Sequence, residues 1–206
     1  RPIPSGIIVP FRAFLFALLL FGIGVIISCF IHFTGFCIAF CSSILLFLYS
    51  YRFKCTVLWG NIIVAFISGL AFVYGGLAVG RYREALVVGI FSFLFHLSRE
   101  IMKDIEDMKG DRSQGLITFP LRYGIRGALV LSSMIMAVLI GLTVIPYMIQ
   151  LFNLTYLLVV VICVDGFLVY VLITMWARPT SENLGRLAVL MKVDMLFGLL
   201  AVYLGR

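Results

Sequence analysis

Charged residues are scarce in this chain. Asp, Glu, Lys and Arg make up 12% of 206 residues, about half of the roughly 25% of a soluble globular domain. That shortfall excludes an ordinary soluble fold. No Cys-x-x-Cys pair occurs among the five cysteines, at 29, 37, 41, 55 and 163, and an odd number at such spacings argues against a zinc site or a disulfide framework. Four of the five fall inside apolar stretches and Cys55 lies at the edge of one, so all are expected to be buried free thiols. The start, Arg1-Pro-Ile-Pro-Ser-Gly6, has neither an initiator Met nor the charged leader of a secretory signal. It reads as a loop entering a helix, and the chain is expected to be a piece of something longer. Linkers, low-complexity tracts and internal repeats are also lacking, so residues 1–206 read as one membrane domain.

What is present is apolar length. Hydrophobic residues make up 63% of the chain and mean hydropathy is +1.17. Seven stretches approach the roughly 20 residues a bilayer core requires: about 9–30, 33–51, 56–79, 84–102, 125–145, 152–176 and 186–204. The expected fold is an all-α, polytopic transmembrane bundle. Gly69, Gly75, Gly76 and Gly80 in the third stretch suggest close helix contact there. Asp165, Lys192 and Asp194 fall within apolar stretches, where a charge costs roughly 2.5–3.5 kcal/mol on insertion scales. They are expected to face the bundle interior or water, with partners on other helices, and two readings stay open: structural hydrogen bonds or an ion path. His96 reads as a packing histidine rather than a ligand.

The net charge of +7 has a topological explanation. If seven helices alternate in direction, Arg1, Arg12, Arg52, Lys54, Arg99, Lys103, Lys109, Arg112, Arg122, Arg126, Arg178 and Arg186 share one face. Only Arg81, Arg83 and Arg206 lie on the other. Such a bias marks the first face as cytoplasmic and accounts for the basicity without a nucleic-acid partner.

Against this background one segment stands out. From Arg99 to Arg112, nine of fourteen residues are charged. On a helix Glu100, Asp104, Asp107 and Asp111 fall at i, i+4, i+7 and i+11, along a single stripe. Like charges so placed repel unless something compensates them. A hard cation such as magnesium does so with oxygen ligands, usually one or two carboxylates completed by waters and a substrate's phosphates. Lys103, Lys109 and Arg112 beside the stripe have the chemistry to hold phosphate oxygens. On spacing alone, a charged loop with ordinary salt bridges is an equal alternative.

The wording of the segment goes further. Arg99-Glu100-x-x-Lys103-Asp104-x-Glu106-Asp107-x-x-Gly110-Asp111-Arg112, followed by Gly115-Leu-Ile-Thr118-Phe-Pro120-Leu-Arg-Tyr-Gly124, resembles the second Asp-rich motif of the UbiA superfamily of intramembrane prenyltransferases. The wording is closest to the archaeal ether-lipid synthases. Tyr49-Ser-Tyr-Arg-Phe-Lys54 with Gly60-Asn61 resembles the superfamily's Tyr…Lys loop. Arg1–Gly6 is similar to the segment that follows its first Asp-rich motif. That first motif is absent, and seven stretches stand against nine family helices, so the missing part is expected to precede Arg1.

The resemblance implies magnesium-dependent transfer of an isoprenyl group, such as geranylgeranyl, from its diphosphate to a lipophilic acceptor in the membrane. Geranylgeranylglyceryl phosphate is the acceptor the closest wording implies, and an aromatic quinone precursor the alternative. It implies Asp107 and Asp111 as catalytic metal ligands with Asp104 as a supporting ligand, and Lys54 as a diphosphate contact. Lys103 and Arg112 join the diphosphate contacts by proximity. Gly110 is expected to end the helix. The site is expected on a multi-pass cell-membrane protein, at the cytoplasmic face. A soluble all-α prenyl synthase is excluded by the spans, and a CDP-alcohol phosphotransferase by the lack of its Asp-Gly-x-x-Ala-Arg signature. A transporter would concentrate its charges at mid-membrane, and most acidic residues here do not lie there.

Overall fold

The computed structural model describes residues 5–206, the side chain of Cys55 excepted, so the similarity carried by Arg1–Pro4 lies outside the described residues. Among the described residues the structure is all-helical, with no strand. Seven helices are long and apolar enough to cross a membrane. They are α1 (Pro10–Cys29), α2 (Phe33–Tyr51), α3 (Trp59–Ala78), α4 (Tyr82–Ser113), α5 (Phe119–Thr143), α6 (Leu154–Ala177) and α7 (Ser181–Leu204). A 3₁₀ turn, Phe53–Cys55, separates α2 from α3. A four-residue helical turn, Ile145–Met148, follows α5. The chain is a multi-pass membrane protein.

In a membrane, helices associate through close packing and interhelical hydrogen bonds, because the lipid tails are as apolar as the side chains. Both devices converge on α4. Its Gly89 lies against Gly69 of α3, where a Cβ on Gly69 would sit 2.6 Å from the Gly89 carbonyl oxygen and one on Gly89 3.0 Å from that of Gly69. Toward α5, the buried hydroxyls of Ser98 and Ser132 are 2.7 Å apart. Toward α7, Arg99 donates from Nε to the Ala188 carbonyl at 2.9 Å. Ile101, Met102 and Ile105 of α4 are fully buried, as are Met136 of α5, Leu168 and Met175 of α6, and Leu184 and Met191 of α7. The core therefore lies around the last half of α4.

The Asp-rich helix is longer than the sequence suggests. Gly110 does not end it; α4 continues to Ser113. The stop is Gly115, at φ +69°. Leu116 N–H donates to the Asp111 carbonyl at 3.0 Å and Gly115 N–H to that of Arg112 at 3.2 Å, the paired bonds of a Schellman ending. A glycine inside a helix is tolerated at a cost of about 1 kcal/mol, whereas the left-handed turn needs one. A second such position, Gly124 at φ +78°, breaks α5 near its start. The segment after Arg112 is therefore a tight corner rather than a long loop.

Two other expectations change. The cysteines whose side chains are described are not buried: Cys29 and Cys41 are exposed, and Cys37 and Cys163 partly so, while the side chain of Cys55 lies outside the described residues. Three of them belong to α1 and α2, which leave most of their surface uncovered, and an apolar thiol is at home against lipid. Asp165 and Asp194 are buried at 7% and 3% exposure, whereas Lys192 is exposed. Asp165 Oδ2 accepts from Thr143 Oγ1 of α5 at 2.9 Å, beside a π-helical stretch of α6, Val160–Asp165. His96 bonds through Nδ1 within its own helix, to Ser92, as a packing histidine does.

The Gly69–Gly89 contact gives the first prediction. In the full-length protein, Gly69→Leu should cost about 1–3 kcal/mol, as overpacking does, seen as a lower detergent-solubilised melting temperature. Gly75→Ala, where a new Cβ meets nothing within 4 Å, should leave melting unchanged.

Candidate active site

Because α4 stays helical to Ser113, Glu100, Asp104, Asp107 and Asp111 keep one face of it. Their fates differ along that face. Glu100 is engaged by its neighbour: Arg99 Nη1 lies 2.6 Å from Glu100 Oε1. Asp104, one turn on, points at α3, where Asn61 Nδ2 donates to its Oδ2 at 2.7 Å. Asn61 is itself buried, at 9% exposure. Asp107 and Asp111 are half-buried at the helix end, and Asp104 feels the charge of both as well as that of Glu100.

Two neighbouring helices fix the rotation of this face. The Asn61–Asp104 bond holds it toward α3. On the other side Glu106 lies so close to Gly185 of α7 that any Cβ at 185 would overlap its carboxylate, and Ser181 Oγ reaches the Ile105 carbonyl at 3.4 Å. Tyr49, from the last turns of α2, comes near enough to feel the charges of Glu100 and Asp104. The Tyr49 ring and the 3₁₀ turn pack on Gly60, where a Cβ would stand 3.0 Å from the Phe53 carbonyl oxygen, 3.3 Å from Tyr49 Cε2 and 3.6 Å from Lys54 Cα. That glycine lets the turn bearing Lys54 rest on the start of α3, next to Asn61.

The structure thus brings Lys54, Asp104, Asp107 and Asp111 to one end of the bundle. Lys54 and Arg112 are exposed and Lys103 is half-buried, so all three cations have room to turn toward a ligand. Among the described residues, no three His, Cys, Asp or Glu side chains form a group able to hold a metal ion. The donor set nevertheless suits a hard divalent cation. Asp107 and Asp111 offer carboxylate oxygens on successive turns, the one or two protein ligands magnesium usually takes before waters and phosphates complete its shell. Asp104 could join such a set only through the oxygen that Asn61 does not hold. Sequence reading met Asn61 beside the Tyr49–Lys54 loop and did not pair it with Asp104. The anchor of Arg99 on the Ala188 carbonyl and the seat of Glu106 on Gly185 went unread, because neither leaves a local pattern.

A membrane-embedded bundle with an Asp-rich helix end facing a basic loop defines a class, the intramembrane prenyltransferases. Comparison with known proteins bears this out: the profile of the UbiA prenyltransferase family matches residues 1–195, and the chain belongs to that family. Among its relatives is the digeranylgeranylglyceryl phosphate synthase of Methanosphaera stadtmanae, 33% identical over the whole chain and 75% of that protein. The enzyme of the same name from Methanopyrus kandleri is 38% identical over 98% of the chain and 73% of that protein. A solved structure from a study of digeranylgeranylglyceryl phosphate synthase in membranes superposes with a TM-score of 0.84 at 31% identity, covering 100% of this chain and 73% of that one.

The Asn61 contact yields a prediction of its own. Asn61→Ala should destabilise the protein by about 1–3 kcal/mol, the cost of a buried polar group losing its partner. Thermal melting of the full-length protein would show it. Asn61→Asp, which sets a carboxylate against Asp104, should be worse.

Proposed function

We propose that this chain carries the diphosphate-binding half of an enzyme that transfers a geranylgeranyl-type group from its diphosphate to geranylgeranylglyceryl phosphate, in ether-lipid synthesis. The observation that carries the reading is the acidic face of α4, held by Asn61 so that Asp107 and Asp111 lie half-buried at the bundle end, where the turn bearing Lys54 also rests. The relatives at 33–38% identity supply the acceptor class.

The reaction breaks the bond between the allylic C1 and a diphosphate oxygen, and the acceptor hydroxyl oxygen forms the new bond to C1 and loses its proton. Negative charge grows on the leaving diphosphate. Asp107 and Asp111, supported by Asp104, would hold magnesium against the diphosphate oxygens. The bound ion supplies Lewis acidity that stabilises the departing charge. Lys54, Lys103 and Arg112 bind further phosphate oxygens and place positive charge where the negative charge develops, the largest lever available to such a site. The Asn61 bond and the Glu106 seat keep these groups in register, so little reorganisation is needed as charge moves. The apolar spans take up the isoprenyl tail and exclude water from the allylic cation, which water would otherwise capture. A site at the end of a membrane bundle suits a substrate with an ionic head and a long apolar tail. The excess of Lys and Arg at this end supports a site on the cytoplasmic side of the cell membrane.

In the full-length enzyme, Asp107→Asn and Asp111→Asn should each abolish transfer while leaving melting unchanged, since both remove charge from a self-repelling face. Each should weaken magnesium-dependent diphosphate binding by about 10–100-fold. Lys54→Ala should lower diphosphate affinity and turnover but keep the magnesium requirement. Asp165→Asn, which touches only the Thr143 contact, should lower the melting temperature more than the rate. Near-normal transfer by Asp107→Asn would place the site elsewhere.

A further inference from the structure

The end of the bundle away from the acidic face carries a groove of its own. Between α3, α4 and α7 runs a groove of about 290 Å³. Its walls are apolar, and four of them, Phe72, Val88, Leu199 and Val202, also border a deeper cavity of about 300 Å³ that ends on Asp194. The α3 wall runs from Ala71 to Val79. Eight residues of helix rise about 12 Å, close to the half-thickness of a bilayer core of roughly 30 Å. The groove is therefore as deep as one leaflet.

The mouth differs from the walls. Arg81 and Arg206 border it, with Glu84 as the one acidic group there. Both arginines are exposed and Glu84 is half-buried. This end of the protein has three basic residues, and the third, Arg83, lies over the Tyr82 ring, 6.0 Å from its centroid, outside the groove. Two of the three arginines therefore border the mouth of this apolar slot. Guanidinium binds phosphate through paired N–H donors and is more weakly hydrated than ammonium. A free phosphate would leave the apolar walls unused, and a neutral lipid would leave the arginines unused.

We propose that this groove binds one anionic glycerophospholipid of the leaflet opposite the acidic face, with its phosphate on Arg81 and Arg206 and one chain along α3 and α7. The site is independent of the prenyl-transfer reading, because its occupancy is read as bound lipid and not as turnover. Gly75 lines the groove, and a Cβ there meets nothing within 4 Å, so the backbone at 75 borders open space. A large residue at 75 would project into the slot. Leu199→Trp narrows it from α7.

The test is native mass spectrometry of the full-length enzyme in neutral detergent, titrated with phosphatidylglycerol and, separately, with phosphatidylcholine of the same chains. One phosphatidylglycerol should bind in preference to phosphatidylcholine. A basic group near the membrane surface is worth about 1 kcal/mol toward an anionic lipid, or about fivefold. The Arg81→Gln/Arg206→Gln double variant should therefore lose roughly 25-fold in phosphatidylglycerol affinity. Gly75→Leu and Leu199→Trp should lose both lipids, and Arg83→Gln should bind as the parent does. The proposal is overturned if the parent binds no lipid, as when another segment of the polypeptide fills the groove. It is equally overturned by equal binding of the two lipids, by parent-like binding in the arginine double variant, by parent-like binding in both groove-filling variants, or by an equal loss in Arg83→Gln.

Discussion

A row of carboxylates on one helix at a membrane edge is unstable by itself, and the rest of this structure is organised around that constraint. At surface-like dielectric two charges 4 Å apart repel by roughly 4 kcal/mol, and more where apolar walls exclude water. The fold disposes of part of the charge internally. Arg99 takes Glu100, Asn61 takes one oxygen of Asp104, and Glu106 is turned away onto α7. Asp107 and Asp111 lie half-buried at the end of the helix. The Gly69–Gly89 contact brings α3 and α4 close together on the same side.

This division of the carboxylates along α4 explains how one helix can be a core element and also carry the candidate site. Ile101, Met102 and Ile105 fill the spaces between the charges of α4 and are fully buried. The apolar face anchors the helix, and the polar face runs along the seam between α3 and the open end. Further out, Gly115 stops the helix and Gly124 breaks α5 near its start, so Arg112 stays at the corner beside Asp111.

Much of this was legible in the sequence. Apolar length gave the seven spans, since a bilayer sets helix length more strictly than a soluble core does, but α4 runs on to Ser113 and α5 and α7 begin at Phe119 and Ser181, beyond the apolar stretches. The i, i+4, i+7, i+11 spacing gave the acidic face, and the wording of the Asp-rich segment gave the family. Asp165 and Asp194 were legible as buried groups because the bilayer leaves a carboxylate few other places. The helix stop was misplaced at Gly110: two glycines five apart both qualify, and only the backbone shows which one turns left-handed. The cysteines were misplaced because in a membrane an apolar residue need not be buried in protein. The pairing of Asn61 with Asp104 spans 43 positions, and no local pattern encodes it.

The central claim is that Asp107 and Asp111 bind magnesium jointly with diphosphate rather than as a preformed metal cage. Calorimetric titration of magnesium into the full-length enzyme, alone and with a prenyl thiodiphosphate that cannot ionise readily, tests it most directly. The account predicts weak or undetectable binding to the enzyme alone, and saturable binding once the analogue is present. Equally tight binding in its absence would contradict it, and would mean that the protein's own carboxylates complete the site.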